Sequence, residues 1–139
     1  MPSTITTGYK QLVDEARREI EEIPVADAIK LVGDPNVVIV DLRDPRELAL
    51  EGRIPGSFHA PRGMLEFWID PASPYFKPVF GEDKKFVFHC AAGARSALAT
   101  QTAQRMGLKP VAHIVGGMGA WKAAGGPVEM LEQKADKAS

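Results

Sequence analysis

The chain of 139 residues holds a single cysteine, Cys90. One thiol cannot close an internal disulfide, so no disulfide framework is expected, and the thiol itself is best kept in a reducing compartment. Long apolar runs are missing as well: nothing approaches the roughly 20 residues of a spanning helix, so no membrane contact is expected. Met1-Pro-Ser-Thr lacks the basic and apolar parts of a secretory leader, and the cytoplasm is the expected location. Neither sign of charge is in excess. Seventeen Lys and Arg against eighteen Asp and Glu give a net charge of −1, which offers no reason to expect nucleic acid. Histidine is scarce too: His59, His89 and His113 share no C-x-x-C or H-x-x-x-H spacing with Cys90. Alternation sends His89 to the sheet face opposite Cys90. The three histidines are therefore expected in the core or in supporting positions, and no metal is expected.

What is present reads as one ordinary domain. Hydrophobic residues at 45% and charged residues at 25% suit a chain with a single core. Tyr9, Val13, Ala16 and Ile20 recur at helical spacing, predicting a helical extension over residues 1–19 that packs onto the domain. The domain itself is taken as 20–129, with 130–139 a tail whose end, Lys134–Ser139, is solvated. Ile20–Ile23 reads as a short edge strand. Val25, Ala28, Ile29 and Val32 then line a helix that Gly33 stops. Val37-Val-Ile-Val40 is a continuous β-branched run, the mark of a parallel strand covered on both faces. Asp44-Pro-Arg-Glu47 is a capping box that opens a helix ending near Gly52.

Ser57–His59 forms a brief strand. Met64, Leu65, Phe67 and Trp68 fall on a helix, and a proline-rich connection follows from Asp70 to Pro78. Long connections often line sites, so Trp68, Tyr75 and Phe76 are expected as an apolar wall beside Cys90. Phe86–Phe88 is a buried strand. A helix from Ala94 follows, stopped by Gly107; Val111–Val115 is the last strand, and Gly116-Gly-Met-Gly opens a final helix through Trp121. Those glycines match no phosphate-binding pattern. Close backbone approach to the cysteine loop accounts for them better. Strands alternating with helices imply an α/β fold with a parallel sheet between helical layers.

The chemistry centres on Phe86-Val-Phe-His-Cys-Ala-Ala-Gly-Ala-Arg-Ser96. A cysteine between a strand end and a helix start lies where open α/β sheets hold their ligands. Free N–H groups and the helix dipole favour an anion there, and small residues let the backbone curl into a nest. A thiolate is such an anion, so Cys90 reads as a nucleophile. Asp41, Arg43 and Glu47 are expected to pair with each other and with backbone groups, Asp41 and Arg43 in supporting roles.

Cys-Ala-Ala-Gly-Ala-Arg-Ser resembles the active-site loop of single-domain rhodanese-like sulfurtransferases. Asp41-Leu-Arg-Asp-Pro-Arg-Glu47, Gly52-Arg-Ile-Pro-Gly-Ser-Phe-His-Ala-Pro61 and Gly116-Gly-Met-Gly-Ala-Trp121 agree with that family in order and spacing. The resemblance spans Ile20 to Glu129 and implies a three-layer α/β/α fold, with five strands in the order 3-2-4-5-1. It implies sulfur transfer from a small anionic donor such as thiosulfate to cyanide or to a thiol, glutathione or thioredoxin-like, through a persulfide on Cys90. Ala91, Ala92, Gly93, Ala94, Arg95 and Ser96 would hold the substrate, with no cofactor. Many catalytic members carry arginine just after the cysteine, where this chain has Ala91. That departure keeps open a persulfide carrier served by a protein partner. A phosphatase or arsenate reductase is a third reading, but such loops space cysteine and arginine one residue further apart than the C-x4-R found here.

Overall fold

The computed structural model describes residues 1–131. The expected tail from Lys134 lies outside them. Helix α1 (Tyr9–Glu19) is followed by β1 (Glu21–Ile23), α2 (Val25–Ile29), β2 (Val37–Asp41), α3 (Pro45–Glu51), β3 (Phe58–His59), α4 (Leu65–Ile69), β4 (Lys85–His89), α5 (Ala94–Met106), β5 (Val111–Ile114) and α6 (Gly117–Ala123). All strand pairs are parallel, in the order β1-β5-β4-β2-β3. This is the expected arrangement, counted from the other edge.

Period-two alternation along the central strands feeds two apolar clusters, one on each sheet face. Val40, Phe86, Phe88 and Val111 point to one face, where Leu65 of α4 and Ala99 and Ala103 of α5 cover them. Ile39, Val87, Ala112 and Ile114 point to the other, against Ala28 of α2 and Met118 and Trp121 of α6. The small residues of α5 let that helix sit close to the sheet. Phe86 and Phe88 are both fully buried, and each contributes about 1.5–3 kcal/mol of transfer free energy.

Two elements differ from expectation. Helix α2 ends at Ile29 rather than at Gly33. Lys30, Leu31 and Val32 each donate to a carbonyl only three residues back, so the chain tightens into turns before the glycine. The wall expected from Trp68, Tyr75 and Phe76 does not stand beside Cys90. Trp68 and Phe76 pack into the α4–α5 cluster, and Lys77 lies over the Trp68 ring. Tyr75 is exposed and meets Phe67 edge-on. Apolar area drew these rings onto the core, and Lys77 N–H to Trp68 C=O folds the connection back on itself.

Helix α1 does pack onto the domain, against α5. Ala16 is fully buried there, and Gln101 and Gln104 of α5 reach the side chain and carbonyl of Glu19. No helix among the described residues is long and apolar enough to cross a membrane.

Candidate active site

Cys90 follows β4 directly, and its side chain is 1% exposed. Three loop residues later, Gly93 adopts φ +109°, a conformation that favours glycine, and α5 starts at the next residue. This turn brings two amides onto the sulfur: Gly93 N–H at 3.2 Å and Ser96 N–H at 3.3 Å. Both belong to the start of a helix of 13 residues, so its dipole adds to the positive end that faces Sγ.

The loop is held from behind by α6. Met118 N–H donates to the Cys90 carbonyl at 2.8 Å and Gly119 N–H to the Ala91 carbonyl at 3.0 Å. Because each peptide unit is planar and trans, drawing these carbonyls toward α6 turns the N–H groups of Ala91 and Ala92 the other way. Gly117 makes the approach possible. A Cβ on it would run into the Cys90 carbonyl oxygen, and its φ is +58°. The glycines near residue 116 thus serve close backbone packing, as their pattern suggested.

Arg95 is committed elsewhere. Its two terminal nitrogens donate to the Glu47 carboxylate at 2.9 and 2.7 Å. Glu47 also closes the capping box of α3 by accepting from Asp44 N–H. The hydrogen bonds from Arg95 come first among the forces holding Glu47 at about 2, well below the usual carboxylate range. The same pairing raises Arg95.

Asp41 and Arg43 form a buried pair beneath the loop. Arg43 donates to both Asp41 oxygens, through Nε at 3.0 Å and Nη2 at 2.7 Å, and also to the Gly52 carbonyl. Burial pushes Asp41 upward, but the bonds from Arg43 and the nearby His89 ring hold it below its usual range. His89 sits 3.6 Å from Asp41 and is fully buried, and that burial pushes its pKa down although Asp41 pulls it upward. His59 bonds to the Arg43 carbonyl. Asp41 and Arg43 are thus paired with each other, and the contact from this group to the loop runs from His89 Nδ1 to the Cys90 carbonyl at 3.4 Å.

One group was missed. Ser96 Oγ lies 3.5 Å from Cys90 Sγ and 2.8 Å from Nδ1 of His113. His113 Nε2 lies 2.9 Å from Glu22, and Glu22 receives Arg17 Nε at 2.7 Å. Burial lowers His113 even though Glu22 pulls it upward. Glu22 is itself raised by burial, but the bonds from Arg17 and His113 bring it below the usual range. The only local signal was the alternation that places Glu22 and His113 on the same sheet face; their register across β1 and β5 comes from the fold.

Two cavities border the loop. One, of about 220 Å³, lies between α1 and the loop and is lined by Lys10, Arg17, Ala92, Gly93, His113 and Gly116 among others. The second, of about 330 Å³, is lined by Arg43, Glu47, Leu50, Ala91, Met118 and Lys122 among others. Trp68, Tyr75 and Phe76 line neither. Among the described residues, no group of three or more His, Cys, Asp or Glu is placed to hold a metal ion.

A thiol held by amides between a parallel strand and a helix start is the arrangement of a rhodanese-type site. The rhodanese-like domain family matches residues 24–124, within the span of the resemblance, and the chain belongs to that family. A thiosulfate:glutathione sulfurtransferase of Saccharomyces cerevisiae is 33% identical over 116 residues, which cover 77% of this chain and 81% of that protein. A mouse thiosulfate sulfurtransferase/rhodanese-like domain-containing protein is 29% identical over 96 residues; the match takes in 61% of its length. Among solved structures, a Rhodopseudomonas palustris protein of unknown function, given as a possible tyrosine phosphatase, is 66% identical. Its TM-score is 0.90, with 93% of this chain and 99% of that one covered. A rhodanese-related protein from Thermoplasma volcanium reaches 0.64 at 28% identity, over 80% and 99% of the two chains. Fold and relatives together place the chain among the rhodanese-like sulfurtransferases.

Proposed function

We propose that this protein moves a sulfane sulfur from a small anionic donor of the thiosulfate type to a thiol acceptor, with Cys90 as the nucleophile. The observation that carries this reading is the convergence of Gly93 N–H and Ser96 N–H on Cys90 Sγ. In the first half-reaction the thiolate attacks the outer sulfur of thiosulfate. A new S–S bond forms, the donor's S–S bond breaks, and its electron pair leaves on sulfite. The resulting persulfide anion sits at the helix start, where N–H groups stabilise charge without reorganising. In the second half-reaction an acceptor thiolate attacks the outer sulfur and Cys90 departs as thiolate. Glutathione is the preferred acceptor, by analogy with the yeast relative, followed by a thioredoxin-like dithiol and by cyanide. No cofactor takes part in either half-reaction.

Steady-state kinetics with thiosulfate and glutathione test this directly. Parallel double-reciprocal lines, the signature of two separated half-reactions, are expected. Converging lines would contradict a persulfide intermediate.

Two observations bear on other readings. The arginines nearest the loop are engaged, Arg43 with Asp41 and Arg95 with Glu47. With Ala91 at the loop mouth, this favours a persulfide carrier loaded by a protein partner as the second reading. The phosphatase reading has the given name of the Rhodopseudomonas structure behind it. Against it stand the C-x4-R loop, too short for a tetrahedral cradle of that type, and an arginine already clamped to a carboxylate. Efficient hydrolysis of an aryl phosphate by the unaltered protein would bring that reading forward.

A further inference from the structure

Cys90 is almost completely buried, and a buried thiolate needs a counter-charge or its ionisation is costly. Arg95, the cation adjacent in sequence, is held by Glu47. A second source of positive charge is connected to the sulfur by hydrogen bonds. Glu22 accepts from His113 Nε2, which leaves Nδ1 as the unprotonated nitrogen. Nδ1 then accepts the Ser96 hydroxyl proton at 2.8 Å, a better partner than the Gly93 carbonyl at 3.3 Å. With its proton directed to His113, Ser96 Oγ offers its lone pairs to the Cys90 thiol at 3.5 Å. Carboxylate, imidazole and hydroxyl are ordered as in a serine triad, but the hydroxyl is one link short of the nucleophile.

We propose that Glu22, His113 and Ser96 form a proton relay that ionises Cys90. The Cys90 S–H bond breaks and its proton passes to Ser96 Oγ, while the Ser96 proton forms an N–H bond with His113 Nδ1. The products are a thiolate facing the Gly93 and Ser96 amides and an imidazolium held between Ser96 and the Glu22 carboxylate. Net charge is unchanged, so a buried ion pair replaces two buried neutral groups. His113 acts on the sulfur only through Ser96, and Glu22 only through His113. The ionisable groups around the ring are accounted for on each side. Glu22 comes from β1 and Arg17 from α1, and the two are paired. Lys10 and Asp14 of α1 line the cavity that His113 borders. On β4, His89 faces Asp41 instead. Arg17 and Glu22 precede the residues the family matches, so the outer half of the relay, including the contribution of α1, lies outside the matched domain.

The proposal concerns the ionisation of Cys90 and rests on the sulfur-transfer reading only for its use in turnover. Its test is the pH profile of Cys90 alkylation by iodoacetamide, followed by intact mass, in native protein, His113→Asn and Glu22→Gln. Asparagine can still accept from Ser96 but carries no titrating proton. At about pH 6 the His113→Asn rate should fall about tenfold, one pH unit of displacement in the thiolate fraction, and converge with the native rate at alkaline pH. Glu22→Gln should move the profile the same way by less. If His113→Asn fails to fold, Glu22→Gln decides. Superimposed profiles in a folded variant overturn the relay, whether or not the native protein accepts sulfur. A displaced profile in a protein that never accepts sulfur upholds the relay and rejects the sulfur-transfer reading instead.

Discussion

Arg95 gives both terminal nitrogens to the Glu47 carboxylate, at 2.9 and 2.7 Å, rather than reserving them for the sulfur of Cys90. The clamp ties the start of α5 to the start of α3, so the cysteine loop is anchored at its far end as well as from behind by α6. Because Glu47 is held at about 2 in the fold against an ordinary 4.5, the stabilisation is complete above about pH 4.5. It is lost as pH falls through about 2.

Replacing Glu47 with glutamine keeps an acceptor for the Asp44 amide but removes the charge. Arg95 is 41% exposed, so screening limits the loss to about 1 kcal/mol at neutral pH. Urea unfolding at several pH values should show the gap between native and Glu47→Gln narrowing between about pH 4.5 and 2. A gap that stays constant across that range would show that charge is not what the pair contributes.

Gly117 and Gly33 both have positive φ, but only Gly117 lies against other backbone. Gly33→Ala should cost about 1 kcal/mol, the conformational term alone. Gly117→Ala adds a clash with the cysteine loop and should cost about 1–3 kcal/mol more, with a loss of sulfur transfer. Equal unfolding free energies for the two variants would mean that the loop yields freely to α6.

Ala91 borders the cavity that also contains Lys122 and Glu47. Since Arg43 and Arg95 are paired with carboxylates, an arginine at this position should improve the use of thiosulfate. The position is wet, so about 1 kcal/mol is expected, roughly five-fold in kcat/KM, and the gain should shrink as salt rises. The carboxylates of Glu47 and Glu51 compete for the new guanidinium from the same cavity. Unchanged kcat/KM at low salt would show that they capture it.

Much of this site is written in short stretches of chain. The capping box at Asp44, the strand run 37–40 and the turn from Cys90 into α5 depend on neighbours within a few residues, so periodicity and turn chemistry reveal them. The strand order needed a family resemblance, because alternation alone leaves the sequence of parallel strands undetermined. Long-range pairing was the part that stayed hidden. The resemblance places Arg95 among the loop residues that would hold the substrate, whereas the carboxylate it pairs with is 48 residues away. The chain from Arg17 through Glu22 and His113 to Ser96 joins four separate elements and has no spacing of its own. Trp68 and Phe76 went into the core because apolar rings follow the larger buried surface, a preference that local sequence does not locate.

The central claim is that Cys90 carries transferred sulfur. Intact mass after incubation with thiosulfate tests it most directly, in native protein and in Cys90→Ser. The hydroxyl of serine fits among the Gly93 and Ser96 amides but cannot hold a persulfide, and the chain has no second cysteine to take its place. Native protein should gain one sulfur atom that a reductant removes, and the folded serine variant should gain none. A native mass unchanged by thiosulfate, or the same adduct on Cys90→Ser, would contradict the account.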